Sequence, residues 1–198
     1  MKSSFKFLLG LILMVWINNA MAAIAPDELV KKTADEVLAA IKTDKDIQSG
    51  DQKKIFALAE EKILPYFNFD RVSRMVLGKY WREANTAQKA AFQREFRSLL
   101  LRTYASALSK YRNQTIEFKP LRMRPDDATV TVETEILQPG GQPIGVDYAL
   151  EKSGDSWKVY DIAIEGVSLV TNYRGQFGNE IRQSGIDGLI EKLKENNK

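Results

Sequence analysis

No histidine and no cysteine occurs among the 198 residues. This removes a Ser-His-Asp triad, a thiol nucleophile and the ordinary zinc site, which wants His or Cys ligands. Neither a P-loop nor a dinucleotide-binding glycine pattern is present. What remains is carboxylate chemistry. Asp126-Asp127 follows Pro125 in what reads as a hairpin turn, a solvated setting. Asp161, in VYDIAI, is the one carboxylate set among apolar neighbours as an acid or base in a cavity would be. A hydrogen-bonded structural acid is its other reading. Arg174 is a candidate to steer a phosphate, or a solvated arginine. No catalytic residue, metal ligand or cofactor is expected.

The elements that would position such groups fall into two kinds. Residues 86–111 form the longest helix pattern, with Thr86 as N-cap. Phe92, Phe96, Leu99, Leu100, Thr103, Tyr104, Ala107, Leu108 and Tyr111 recur at three- and four-residue steps. A helix with this many rings and leucines needs a large apolar partner. Before it, residues 26–41 and 51–64 read as amphipathic helices, joined by a polar connection over 42–50, and the second is stopped by Pro65. A short helix with Met75, Val76 and Leu77 closes at Gly78. After residue 111 the period changes to two. Ile116 and Phe118, then Val130, Val132 and Ile136, then Val146, Tyr148 and Leu150 alternate with polar residues. A fourth run, 157–164, is apolar on both phases for part of its length. The turn signals at 124–127, 139–143 and 153–155 make a four-stranded antiparallel meander. Closing helices are predicted over 167–181 and 186–193. Helices grouped before and after strands give an α+β domain with helices on one sheet face.

The first residues belong to neither group. Lys2 and Lys6 form a basic start, 7–17 is an apolar run, and Ala20-Met21-Ala22 is a small-x-small cleavage site. That run is shorter than the roughly 20 residues of a spanning helix. A cleaved signal peptide over 1–22 and one domain over 23–198 are expected, with export to the periplasm. Loss of Lys2 and Lys6 leaves 27 basic against 26 acidic side chains. That near-neutrality argues against nucleic acid as a partner. The charge is uneven, however. Residues 71–125 carry 13 Lys or Arg against 3 acids, and residues 126–165 carry 2 against 9. Either the two segments neutralise each other, or a basic rim meets anionic head groups or an acidic protein.

Three stretches taken together resemble the MlaC family of periplasmic phospholipid-binding proteins, also known as toluene-tolerance auxiliary transport components. They are LGKYWREANTAQKAAFQREFRSLLLRTYASAL (77–108), WKVYDIAIEGVSLVTNYRGQF (157–177) and GIDGLIEKL (185–193). The resemblance implies helices packed on a curved sheet that encloses an apolar lipid pocket, with the head group near solvent. It implies a monomeric carrier without catalytic activity, which moves phospholipid between an outer-membrane lipoprotein–porin complex and the substrate-binding subunit of an inner-membrane ABC transporter, maintaining outer-membrane lipid asymmetry. Acyl chains exposed to water cost about 0.8 kcal/mol per methylene, so such a carrier needs a greasy pocket. A volume at the large end of the usual range of roughly 300–1,000 Å³ is expected.

The expected wall takes Met75, Phe96, Leu100 and Tyr104 from the helices. The sheet adds Val132, Val146, Tyr148 and Ile162, and the closing segment adds Val167, Val170 and Tyr173. Each could instead be ordinary core, and Trp81 and Trp157 are expected to be core anchors. Two rival classes stay open: a small-molecule enzyme on a cone-shaped α+β scaffold, and an adaptor that docks two membrane complexes without holding lipid.

Overall fold

The computed structural model describes residues 24–109 and 114–198, the side chains of 105–107 and 109 excepted. The expected signal peptide and cleavage site lie outside the described residues, as do the Lys110–Tyr111 end of the long helix and the side chain of Ala107.

Helix α1 (Pro26–Thr43) starts on Pro26 with Asp27 and Glu28 in its first turn and buries Leu29, Val30, Val37 and Ile41. Proline needs no N–H donor there, and the acids complement the helix dipole. The connection expected at 42–50 contains a helix of its own, α2 (Lys45–Ser49). Five residues are too few to show a period. The ends define this helix: Asp44 accepts from Asp46 N and Ile47 N, Gly50 closes it at φ 94°, and Ile47 is buried. Asp51 caps α3 (Gln52–Lys62), and a 3-10 turn, Leu64–Tyr66, takes up Pro65.

Asn68 caps α4 (Phe69–Leu77). Gly78 ends it at φ 55°, ψ −123°, where a Cβ would stand 3.2 Å from the Arg174 guanidinium. Arg174 is exposed and lies over the end of α4, in keeping with a solvated arginine. After α5 (Tyr80–Glu83) comes α6 (Thr86–Ser109). Its cap is Asn85 and not Thr86. Gln88 N–H donates to Asn85 Oδ1 at 2.9 Å and Asn85 N–H donates to Gln88 Oε1 at 3.0 Å, a reciprocal capping box.

The sheet has five antiparallel strands where four were expected. They are β1 (Thr115–Phe118), β2 (Thr129–Leu137), β3 (Ile144–Ser153), β4 (Ser156–Ile164) and β5 (Val167–Ser168), in that order. The added strand begins at Val167, which was expected to open a helix. Glu165 and Gly166, at φ 49° and 75°, form a two-residue turn that folds Val167 back onto Ile164. Ser168 then caps α7 (Leu169–Asn196), accepting from Thr171 N at 3.0 Å. Helix α7 is interrupted at Gly185 (φ 74°, ψ 178°), so the two expected closing helices meet at one non-helical residue.

Strand β4 also explains its own mixed pattern. Leu150 pairs with Val159 and Ala149 with Asp161, which leaves one extra residue in β4. The bulge switches phase, so Trp157 and Val159 precede it on one parity and Ile162 and Ile164 follow on the other. The outer edge of β4 is covered twice. Asn68 N–H donates to Val159 O at 2.9 Å, and β5 pairs at Ala163 and Ile164.

Three apolar clusters hold these layers together. In the first, Phe92 and Phe96 of α6 meet Tyr173 and Phe177 of α7, with ring centroids 5.2–5.8 Å apart. Trp81 packs on its side. In the second, Leu29 and Val30 of α1 cover Val130, Val132, Leu150, Trp157 and Val159 of the sheet. The third joins α1, α2 and α3. The basic and acidic segments meet at a few places, and at one of them Lys119 faces Glu135, Glu133 and Asp147 together. Among the described residues, Arg71–Glu151, Lys119–Glu135 and the local Arg124–Asp127 are the ion pairs that link them. On the sheet, Glu117 stands opposite Glu135 and Glu133 opposite Asp147.

Candidate functional site

The elements that surround α6 do not meet along its second half. A cavity of about 340 Å³ remains there. Ile55, Phe56 and Ala59 of α3, with Ile63 just past its end, border it on one side, and Phe96, Leu100, Leu101, Tyr104 and Leu108 of α6 on another. Below lies the inner face of the sheet at Ile136, Val146, Tyr148, Ile162 and Ile164, and Leu169 and Val170 at the start of α7 close the end. The volume falls at the small end of the usual ligand-site range, not the large end expected, and six rings stand on the wall: Phe56, Phe67, Phe69, Phe96, Tyr104 and Tyr148.

Seven of the eleven expected wall residues border the cavity: Phe96, Leu100, Tyr104, Val146, Tyr148, Ile162 and Val170. Four lie elsewhere. Met75 packs on the α4–α6–α7 cluster. Val132 shares the inner sheet face with Val146, but α1 covers that end and leaves it 1% exposed. Tyr173, one turn beyond Val170, meets the rings of Phe96 and Phe177. Val167 is 57% exposed beyond the β4–β5 turn.

The wall also includes residues that were not singled out. Ile55, Ala59 and Ile63 belong to the apolar stripe of α3, so their inward face was legible and their partner was not. Ile136 and Ile164 lie on the same face as Val146, which pairs with Ile164. Ile164 is one period-two step beyond Ile162, and Ile136 already belonged to the alternating set of Val130 and Val132, so both were within reach of the pattern. Leu64 and Phe67 follow no period, since the 3-10 turn breaks it, while Phe56 stands three residues before Ala59 at the margin of the α3 stripe.

Two charged residues reach the wall, Arg97 and Asp161. Asp161 is fully engaged by its own chain. Its Oδ1 accepts from Ile162 N at 2.8 Å and Val170 N at 3.1 Å, and its Oδ2 accepts from Ser168 Oγ at 2.5 Å. It ties β4 to the start of α7 and has the partners of a structural acid. The guanidinium of Arg97 lies 5.3 Å from the Phe69 ring centroid. Two phenols, Tyr104 and Tyr148, also stand on the wall. Burial, then the neighbouring Tyr173, pushes the Tyr104 hydroxyl up to about 12. Burial also raises that of Tyr148, against the opposing effect of Thr134. A space of this kind suits hydrocarbon. Its walls offer dispersion contacts and few directed bonds.

The family model described as MlaC protein matches residues 31–195. The chain is 28% identical over 181 residues to the intermembrane phospholipid transport system binding protein MlaC of Haemophilus influenzae, covering 90% of this chain and 85% of that one. It is 27% identical over 168 residues to the toluene tolerance protein ttg2D of Pseudomonas putida, covering 84% and 78%. A solved phospholipid-binding protein of Ralstonia solanacearum, in complex with a phospholipid, superposes with a TM-score of 0.82 at 41% identity. That match covers 86% of this chain and 96% of the other.

Proposed function

The chain belongs to the MlaC family, and from that premise we propose that it is a phospholipid carrier whose α3–α6–sheet cavity holds acyl chains. The observation that carries the reading is the cavity itself: an apolar space of about 340 Å³ left open beside a well-packed aromatic cluster. The likeness to a protein solved with a phospholipid supports it. Phe96, Leu100, Tyr104, Val146, Tyr148, Ile162 and Val170 would touch the chains. Burying methylenes at about 0.8 kcal/mol each supplies the affinity, so no covalent chemistry is needed. In this reading the chain is exported by residues 1–22 and crosses the periplasm as a monomer. It exchanges lipid with an outer-membrane lipoprotein–porin complex and with the substrate-binding subunit of an inner-membrane ABC transporter, which maintains lipid asymmetry. No helix among the described residues is long and apolar enough to cross a membrane.

Organic extraction of the purified protein followed by mass spectrometry tests this. Phospholipid near one molecule per protein is the expected result. A small metabolite instead would turn the reading to an enzyme, and an empty protein would turn it to an adaptor.

A further inference from the structure

Arg97 is shared by two spaces. It lines the apolar cavity and also an adjoining polar groove between α3 and α6, bordered by Glu60, Gln93, Arg94 and Ser98. Leu101 is the other residue on both walls. A lipid is amphipathic, so its head must leave the apolar space where a compatible charge stands. Asp161, the other charged wall residue, has the wrong sign for a phosphate and is saturated by internal donors. Arg94 is paired with Glu95 at 3.0 Å. Arg97 has no ion pair among the described residues, and the Phe69 ring holds its guanidinium at the junction. Arg174, the sequence candidate for this role, lies over Gly78 instead.

We infer that Arg97 binds the phosphodiester of the carried lipid, which makes this protein selective for phosphate-bearing lipids over neutral lipids with the same chains. The inference rests on the carrier reading above and adds its selectivity. Arginine suits the role because its planar fork donates two parallel bonds to phosphate oxygens. The head group beyond the phosphate lies in the open groove. The selection is therefore for phosphate and not for ethanolamine or glycerol.

The test is a competition. Protein is incubated with vesicles containing phosphatidylglycerol and diacylglycerol of matched chains, then re-isolated and its lipids counted. The wild type should be enriched in phosphatidylglycerol. Arg97→Ala should lower that preference about tenfold, the scale of a lost charge-assisted pair, while diacylglycerol keeps total lipid per protein near its former level. Arg97→Lys should restore part of it, and Arg174→Ala should change nothing. An unchanged ratio in Arg97→Ala overturns the inference, as does a fall in total lipid with the ratio intact, which would mark Arg97 as wall packing only. A wild type that takes up neither lipid overturns the carrier reading, and this inference with it.

Discussion

The two halves of α6 carry the same spacing of apolar residues and end in opposite states. Phe92 is 0% exposed and locked against Phe177 of α7, and Phe96, 1% exposed, is the boundary, packed on Tyr173 and Phe177 and bordering the cavity. From Leu100 onward the same helix borders open volume at Leu100, Leu101, Tyr104 and Leu108. The difference lies in what stands opposite. Helix α7 brings two rings within reach of the first half and fills the gap. The second half faces the sheet and α3, whose side chains stop short of it. Interiors normally close to crystal-like density, so an unfilled stretch of this size beside a filled one marks where the protein's own packing stops. Helical period reports which face is apolar. It does not report whether that face is covered by protein.

The largest test of this contrast is Phe92→Ala in the filled half. It should cost about 3–5 kcal/mol, seen as a lower denaturation midpoint, with lipid content of the folded fraction unchanged. An undisturbed midpoint would mean that the first half is not packed as described.

A paired test follows on the sheet. Val146→Glu places a carboxylate on the cavity wall, where it should remove most bound phospholipid yet unfold the lipid-free protein less than Phe92→Ala does. Val167→Glu, at a site 57% exposed, should alter neither quantity. Equal effects of the two variants would erase the distinction between wall and surface.

Filling the open half should be mild for folding and severe for cargo. Leu100→Trp is expected to change stability by no more than about 1 kcal/mol while displacing lipid, whereas added bulk in a closed core costs about 1–3 kcal/mol. A loss of stability at the upper end of that range would show that the cavity cannot take the ring.

The smallest effect is in alkaline titration. The Tyr104 phenol, raised to about 12 by burial and Tyr173, stays protonated when an unfolded tyrosine near 10 would ionise. Its contribution to stability is whole below about pH 10 and disappears as pH rises through 12. Ultraviolet difference titration should show late phenols, Tyr104 and the buried Tyr148 among them, and one fewer in Tyr104→Phe.

Much of this was legible in the sequence. The α+β class, the long helix, the meander and the aliphatic stripes followed from period alone, because each uses several residues at a regular spacing. What escaped depends on distant partners or on ends. Helix α2 exists through its caps at Asp44 and Gly50, and β5 through pairing two residues with Ala163 and Ile164. Val132 and Val146 lie on the same sheet face, and the position of α1 decides that one is core and the other is wall. Tyr173 is separated from Val170 by one turn, yet the rings of α6 claim it. Resemblance pointed to a pocket, and local pattern could not draw its outline.

The covered edge of β4 has a further consequence, for behaviour in a crowded solution. A protein that keeps a hydrocarbon wall open between cargoes is at risk of sticking to its own copies, and strand addition is the usual way such contact becomes irreversible. Here Asn68 and β5 already occupy backbone groups along that edge, and the opposite edge, β1, is only four residues long. Copies that touch while empty therefore find the β4 side of the sheet already occupied, and a strand cannot add to it there.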